Sequence, residues 1–570
     1  MQFRLQNVKY RTAVGFNQRL FIFLCILQLI PGAGQAQQNT VGVLAADFPA
    51  RSKGYDLLYP NNQSKTFLID QCGRIVHQWL DDDQWRPGNV AYLLESGNLI
   101  RAKRNFQSIN DPIWFSGGGE LVELVSWEGE VLWQFHQNDS IKRIHHDIEP
   151  MPNGHILLVS WELKTREEAI EYGRDPSKLL EQRLFPDYVF EVSPEHGDSI
   201  FWAWHAWDHV IQDYDPAKPN FGAVADHPEL IDLNFDSRNG FPDWLHINSV
   251  DYNPELDQIM LSVLGFNEIW IIDHSTTREE AASHQGGRSG RGGDLIYRWG
   301  NPQTYRQGSA QDQRLFGQHD AHWLGMNAAA DIRRGDIAVF NNHFATDYSA
   351  GHVIRPAFDS VTGSYRMDAD QWLPAGYERT LTHPQPDKFQ SGSVSSIQLL
   401  ENGNFLLCAG QIGYTIELEP GGGIVWEYVL PLRSGFPVAQ GTELKLNYNF
   451  IFRQSRYDEG YPAFTGKDLS PIMYLEEDPD ESLCELSTGN RVRSAHKDIR
   501  ILPNPADDYF QISVDGAIIG NLDICNTSGV RVYHRYIPSP EHEIPVGDWP
   551  AGIYLIKISG SVLQKVLVIK

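Results

Sequence analysis

Cysteine is scarce in this chain, with five among 570 residues, at Cys25, Cys72, Cys408, Cys484 and Cys525. Their spacing matches no zinc pattern and no disulfide framework, so we expect at most one bridge and no cysteine chemistry. Positive charge is also in short supply. Lys and Arg number 47 against 73 Asp and Glu, a formal net charge of -26. Phosphate neutralisation needs clustered Lys and Arg, so no nucleic-acid partner is expected, and an anionic substrate would require a local basic pocket on an acidic body. No HExxH spacing and no EF-hand loop occurs, so we assign no metal and no cofactor. Long apolar runs are missing too. The run Leu20 to Ile30 is short for a membrane span. It follows Lys9, Arg11 and Arg19 and precedes Gly32, Ala33, Gly34 and Ala36. That layout predicts a secretory signal over 1–36 and no membrane span in the mature protein.

What the chain does have is repetition, over a length too great for one ordinary domain core. One phrase runs apolar-acidic-apolar, a Gly-containing turn, then apolar-aromatic. It occurs as LIDQCGRIVHQW from Leu68, LVELVSWEGEVLWQF from Leu121, VFEVSPEHGDSIFWAW from Val189 and IELEPGGGIVWEY from Ile416. A stretched copy joins IWIID (from Ile269) to GDLIYRWG (from Gly293), and a degenerate sixth is GHVIRPAFDSVTGSYRM from Gly351. A second phrase alternates with it: AYLLESGNLIRA, IEPMPNGHILLVSW, VDYNPELDQIMLSVLG, HWLGMNAAADIRRGDIAVFN and IQLLENGNFLLCAG. Each reads as a hairpin, and two alternating hairpins make a four-stranded antiparallel unit. Six such units predict an all-β, six-bladed β-propeller over 41–475. Two segments interrupt the pattern. Leu163 to Leu184 reads as helical and charged, and the aromatic, acidic stretch from His205 reads as a lid or rim.

The C-terminal part differs. A linker over 476–497 precedes short alternating strands and turns over 498–570, which predict a small β-sandwich. LPNPADD, TSGVRVY and PAGIYLIKI…QKVLVIK resemble the opening, middle and closing motifs of the C-terminal sorting domain of the type IX secretion system. The resemblance implies that the type IX machinery is a partner. It also implies export across the outer membrane of a Bacteroidota-type bacterium, followed by surface attachment or release.

Aligning the second phrase by its turn sets His146 and Asp147 opposite His319 and Asp320, near His246 and Asn248 of DWLHINSV, Asn89 of NVAYLL, and Ser395 and Ser396 of SSIQLL. Inner strands of a propeller line its channel, so these polar residues converge and need one another, water or a ligand. Imidazoles beside carboxylates suit two chemistries, a metal centre or nucleophilic catalysis with a carboxylate fixing the tautomer. Trp161, Trp244 and Trp323 are candidate rim aromatics for stacking on a ring, and equally candidate core.

The stretches HHDIEPMPNGHILLVSWE, DWLHINSVDYNPELDQIMLSV, FGQHDAHW…GDIAVFNN, SGSVSSIQLLENGNFLLCAGQIGYTIELEPGGGIVWEY and NFIFRQSRY together resemble the bacterial arylsulfate sulfotransferase family. The resemblance implies a six-bladed propeller that moves a sulfuryl group from an aryl sulfate to a phenol through a sulfohistidine, without a nucleotide cofactor. It implies His319 as nucleophile, with His246 the second choice. His146, His145, Asn248, His322 and Arg453 then bind substrate, and Asp147 and Asp320 orient imidazoles. The chain departs from the family at two places. FNNHFATDY stands where members have FDNG followed by an arginine, and FQSGSVSSIQLL offers Ser391, Ser393 and Ser395 where members carry a later histidine. Arg104, Arg143, Arg453 and Arg456 are the candidates for the missing charge. Two other classes fit the same residues, a non-catalytic surface binding module and a metal-dependent hydrolase or oxidoreductase.

Overall fold

The computed structural model describes residues 39–485 except 198, and residues 499–568 except 503, 515–519, 527–529, 538–540 and 559–560. The expected signal, and the expected linker from 486 on, lie outside the described residues.

The repeated phrases fold as hairpins because their apolar runs are bounded by turn chemistry. In MPNGH, Gly154 takes φ 83° and the Asn153 side chain accepts the His155 N–H at 2.9 Å, which closes the turn. The run after it, Ile156–Glu162, is buried along its whole length. It pairs with Lys142–Pro150 on one side and Asp187–Val192 on the other. Ile200–His205 completes that four-stranded sheet. Three further sheets are built the same way and begin at Trp85–Leu93, Ile247–Asn253 and His319–Trp323. A fifth begins at Ser396–Leu399 and gains Gly42–Ala46 on its outer edge.

The sixth sheet joins the two ends of the repeat region. Its first strand, Ile451–Tyr457, pairs with Tyr55–Pro60 in the register Tyr55↔Tyr457 and Leu58↔Gln454. The first strands of the six sheets touch in sequence and the last returns to the first, so the ring closes. Side chains on one first strand bind backbone amides on the next. Asp147 accepts from Val250 N (3.3 Å), Asp251 from Trp323 N (2.6 Å), Asp320 from Ile397 N (2.8 Å) and Gln398 from Arg456 N (2.8 Å). These bonds satisfy edge amides that no ladder reaches, so the inner polar residues hold the ring as well as line it.

Apolar cores fill the seams between sheets. Trp161 and Trp244 are fully buried and Trp323 is half-buried against a seam, so the three candidate rim aromatics are core. Each fully buried large apolar side chain contributes about 1.5–3 kcal/mol. The sixth repeat differs from its expected form. Ala350–Ile354 pairs with Arg379–Leu381, beyond two short hairpins, and not with the SYRM segment. The expected helix in the first insertion is Arg166–Glu171, started by a Thr165/Glu168 capping box. Cys72 and Cys484 form one disulfide, while Cys408 and Cys525 are buried thiols.

The C-terminal residues form a three-stranded and a four-stranded antiparallel sheet around one core that includes Phe510, Ile524 and Ile556. Among the described residues no helix is long and apolar enough to cross a membrane.

Candidate functional site

Five of the six first strands carry a residue with positive φ within them or just before them: Asn89, His146, His246, Asp320 and the Val394–Ser395 pair. In four of these strands the register shifts at or within two residues of it. Each is a β-bulge, which bends the strand and re-aims its side chains. The bulges turn His146, His246 and His319 into one cavity of about 170 Å³, lined also by Asn89, Arg104, Trp114, Val394 and Phe452. Gly117 backs the His146 ring. At its φ of +93° a Cβ would meet His146 Nε2 at 2.0 Å. Its carbonyl accepts His146 N–H (2.8 Å) and Asn89 Nδ2 (2.7 Å).

The three rings differ in what their nitrogens do. His246 donates Nδ1–H to Asp243. That carboxylate also accepts Trp161 Nε1–H at 2.9 Å and the Arg238 guanidinium at 3.3 Å. Burial works to raise the Asp243 pKa, but the His246 ring and Arg238 outweigh it and hold the group below its usual value. His246 Nε2 is left to the cavity. His319 has both nitrogens engaged. Its Nδ1 donates to Asn342 Oδ1 at 2.8 Å and its Nε2 accepts the Val394 N–H at 3.1 Å. The Asn342 orientation is fixed by donation to the carbonyls of Ser391 and Val394. Burial pushes the His319 pKa down to about 3.

His146 stands 4.3 Å from His246, centroid to centroid. It shares a 2.8 Å Nδ1–Nδ1 hydrogen bond with His145. His145 lies behind it, stacked on Trp161 at 4.1 Å, with Nε2 2.9 Å from Asp187 Oδ1 but off the hydrogen-bond line. Burial, then the neighbouring rings His246 and His145, hold His146 well below its ordinary pKa, and burial pushes His145 down to about 3. His145, His146 and His319 are therefore neutral imidazoles at any ordinary pH. The cavity's cation is Arg104. It stacks 5.4 Å from the Trp114 ring and makes no hydrogen bond or ion pair among the described residues. Burial, then Arg143 and Arg86, lower its pKa.

The other expected site residues lie elsewhere. Arg453 pairs with Asp147 (3.0 Å) and Asp320 (2.8 Å) in a second cavity of about 250 Å³ that also holds Glu149, Asp251 and His322. Asp147 and Asp320 were expected to orient imidazoles in the histidine cavity. Their carboxylates instead hold Arg453 and neighbouring-strand amides, Asp147 also accepting the Tyr92 hydroxyl at 2.7 Å. The groups that touch the cavity rings are Asp243 and Asn342, with Asp187 behind at His145, and sequence reasoning missed all three. Asp243 carried a signal, three residues before His246 in DWLH; Asn342 and Asp187 carried none, being distant in sequence. Asn248 is fully buried, donates to Gln318 O at 2.7 Å and does not line the histidine cavity. Arg143 and Arg456 are buried in pairs with Asp111 and Asp56.

The family described as Arylsulfotransferase (ASST) matches residues 49–429, and the secretion system C-terminal sorting domain matches residues 500–570. No curated protein matches the chain. Among solved structures, a protein of unknown function from Bacteroides caccae is 11% identical, covering 72% of this chain and 100% of its own, with a TM-score of 0.38. One from Desulfotomaculum acetoxidans is 8% identical, covering 71% and 99%, with a TM-score of 0.33. PorZ, a surface component of the type IX secretion system of Porphyromonas gingivalis, is 10% identical, covering 89% and 80%, with a TM-score of 0.22. Likeness at this level assigns nothing to the present chain. The sorting domain marks it for secretion and attachment at the outer-membrane surface.

Proposed function

Because the chain belongs to the arylsulfotransferase (ASST) family, we propose that it is a six-bladed propeller with a sandwich-like sorting domain that transfers a sulfuryl group from an aryl sulfate to a phenolic acceptor, with His246 carrying the group. The observation that supports this reading is the Asp243–His246 pair with its second nitrogen open to the cavity. Asp243 keeps the proton on Nδ1 and leaves the Nε2 lone pair for attack.

In the first half-reaction Nε2 bonds to sulfur, the sulfur–aryl oxygen bond breaks, and its electron pair leaves on the phenolate. The ring becomes a sulfonated imidazolium, and the Asp243 carboxylate neutralises its charge. In the second half the acceptor oxygen attacks sulfur, the N–S bond breaks, and the pair returns to Nε2. The leaving phenolate gains one proton and the acceptor loses one. Both protons are exchanged with solvent; His146, held neutral beside His246, is a wall of the site and not the carrier. Like phosphoryl transfer, the step needs alignment and neutralisation of the peripheral oxygens more than new covalent machinery. Arg104 supplies the positive charge that the family takes from the arginine absent here, and the Asn89 amide adds a polar group. Trp114 and Phe452 offer faces for the aryl ring. His319 was the first choice of nucleophile from sequence. With its lone pair held by Val394 N–H it reads as a fixed wall of the site, so we place the reacting nitrogen on His246.

The test is turnover of a chromogenic aryl sulfate by protein lacking the sorting domain, with and without added phenol. Acceptor-dependent release, lost in His246→Asn and accompanied by a sulfonated histidine peptide in the wild type under acceptor-free conditions, is expected. Turnover that survives His246→Asn would refute the assignment, and release that ignores the acceptor would make the enzyme a sulfatase.

A further inference from the structure

Away from the channel, three side chains converge on one point. His209 ends the short turn Ala206–His209. His284 and Asp294 flank the Gly-rich loop that stretches the fifth copy of the first phrase. His209 Nδ1 and His284 Nδ1 each lie 2.8 Å from the same oxygen, Asp294 Oδ1, and the three ligand atoms fall within 4.8 Å of one another. We propose that His209, His284 and Asp294 bind a divalent transition metal, with zinc the expected ion.

The tautomer of His209 carries the argument. Its Nε2 lies 2.8 Å from the Ala281 carbonyl, which can only accept, so Nε2 bears a hydrogen. In the neutral ring Nδ1 then presents a lone pair to a carboxylate oxygen that also has only lone pairs to offer. Two acceptors at that distance require a positive charge between them, either a proton or a metal ion. Metal-bound imidazoles characteristically donate their other N–H to a carbonyl or carboxylate, which is the arrangement of His209. The second histidine on the same oxygen gives the N₂O donor set that suits zinc, cobalt or copper and not magnesium or calcium.

The surroundings fix the cluster and leave it open on one side. Trp204 Nε1–H donates to Gly293 O at 2.7 Å. A Cβ on Gly293 would lie 2.1 Å from Ala281 O and 2.5 Å from His209 Nε2, so only glycine lets the loop close over the ring. His209 is fully buried, whereas the His284 side chain is 61% exposed. A cavity of about 410 Å³ on that side is lined by His227, Glu229 and Arg291, giving room for water or a carboxylate as fourth ligand. Tetrahedral zinc with bonds near 2.0–2.1 Å spaces its ligands by about 3.3 Å. Binding therefore moves the Asp294 oxygen away from both imidazoles by a few tenths of an ångström and brings the two imidazoles to the same spacing, which the exposed His284 side of the loop permits. The ion would pin residues 282–293 to the Ala206–His209 turn.

The full-length chain, stripped with a chelator, is titrated calorimetrically with Zn(II) and by visible absorption with Co(II). One ion per chain with a tetrahedral Co(II) spectrum is expected, weakened by about tenfold or more in His284→Ala and in Asp294→Asn. His246→Asn should leave the titration unchanged. Zinc should slow tryptic cleavage after Arg288 and Arg291 in the wild type and not in His284→Ala, a readout independent of folding elsewhere because His284 is exposed. No saturable binding, binding that survives His284→Ala, or binding lost in His246→Asn would each overturn the proposal, and the cluster would then be an ion pair held by a proton.

Discussion

His246 and His319 face the same cavity from adjacent inner strands, yet their nitrogens are engaged differently. One is held by a carboxylate at Nδ1 and open at Nε2; the other is bonded at both ends. This difference predicts which substitutions matter. Asp243→Asn keeps the shape of the pair but removes the charge and the tautomer preference, so kcat should fall by roughly 10²–10⁴-fold with little change in thermal stability. Arg104→Gln should lower kcat/KM for the donor by roughly 10²-fold, because a group aimed at peripheral sulfate oxygens acts in the transition state. Arg453→Gln should instead lower stability, since it leaves Asp147 and Asp320 buried without their cation. Initial rates and melting curves on the three variants separate these outcomes.

At the scale of elements, the bulge is what the sequence hides. The hairpins were legible because apolar alternation and Asn-Gly or Ser-Gly turns are local signals; the structure has His146 and His319 on first strands and His246 just before one. The turn alignment set His146 level with His319 and Asp147 with Asp320. The structure keeps both pairs: His146 and His319 line one cavity, and Asp147 and Asp320 hold Arg453 in the other. A one-residue bulge re-aims the side chains beside it, and no residue pattern announces it. The carboxylates predicted to orient rings sit one residue after His146 and His319 and point into the second cavity. There Glu149 and Asp251 repel each other. Burial, then Asp251 and Asp147, raise Glu149 well above its ordinary pKa, and Asp251 is pushed up to about 6, chiefly by burial. An acid raised on folding costs nothing below its unfolded pKa, and its penalty is complete above the folded one. Asp251→Asn, whose amide oxygen can still accept Trp323 N–H, should therefore stabilise the protein by about 1–3 kcal/mol at pH 8 and little at pH 4. The histidines act in the opposite sense. His145 and His319 are depressed to about 3, so their contribution is full above pH 6.5 and is lost as pH falls, by about 2 kcal/mol per ring at pH 5. Denaturant titrations of wild type and Asp251→Asn at the two pH values read this directly. Gly117→Ala should displace the His146 ring and abolish turnover while the hairpins persist in circular dichroism.

For the whole molecule, two devices tie the beginning of the described chain to its end. Ile451–Tyr457 lies against Tyr55–Pro60, and Cys72 is bonded to Cys484 across a sequence separation of 412 residues. Cross-linking so long a segment restricts the unfolded chain, so Cys72→Ser should lower stability by about 2–5 kcal/mol without moving the channel residues. Non-reducing electrophoresis and melting curves test this. Neither tie was legible in the sequence, because strand partners and cysteine partners hundreds of residues apart leave no local trace. The strand closure also orders events along the chain. The closing strand precedes the sorting domain of residues 500–570, so every polypeptide that bears the address for export already contains the strand that shuts the ring. A chain cut short by premature termination loses the address before, or together with, its ability to fold. The order of segments thus ties the presence of the address to the presence of the strand that closes the ring.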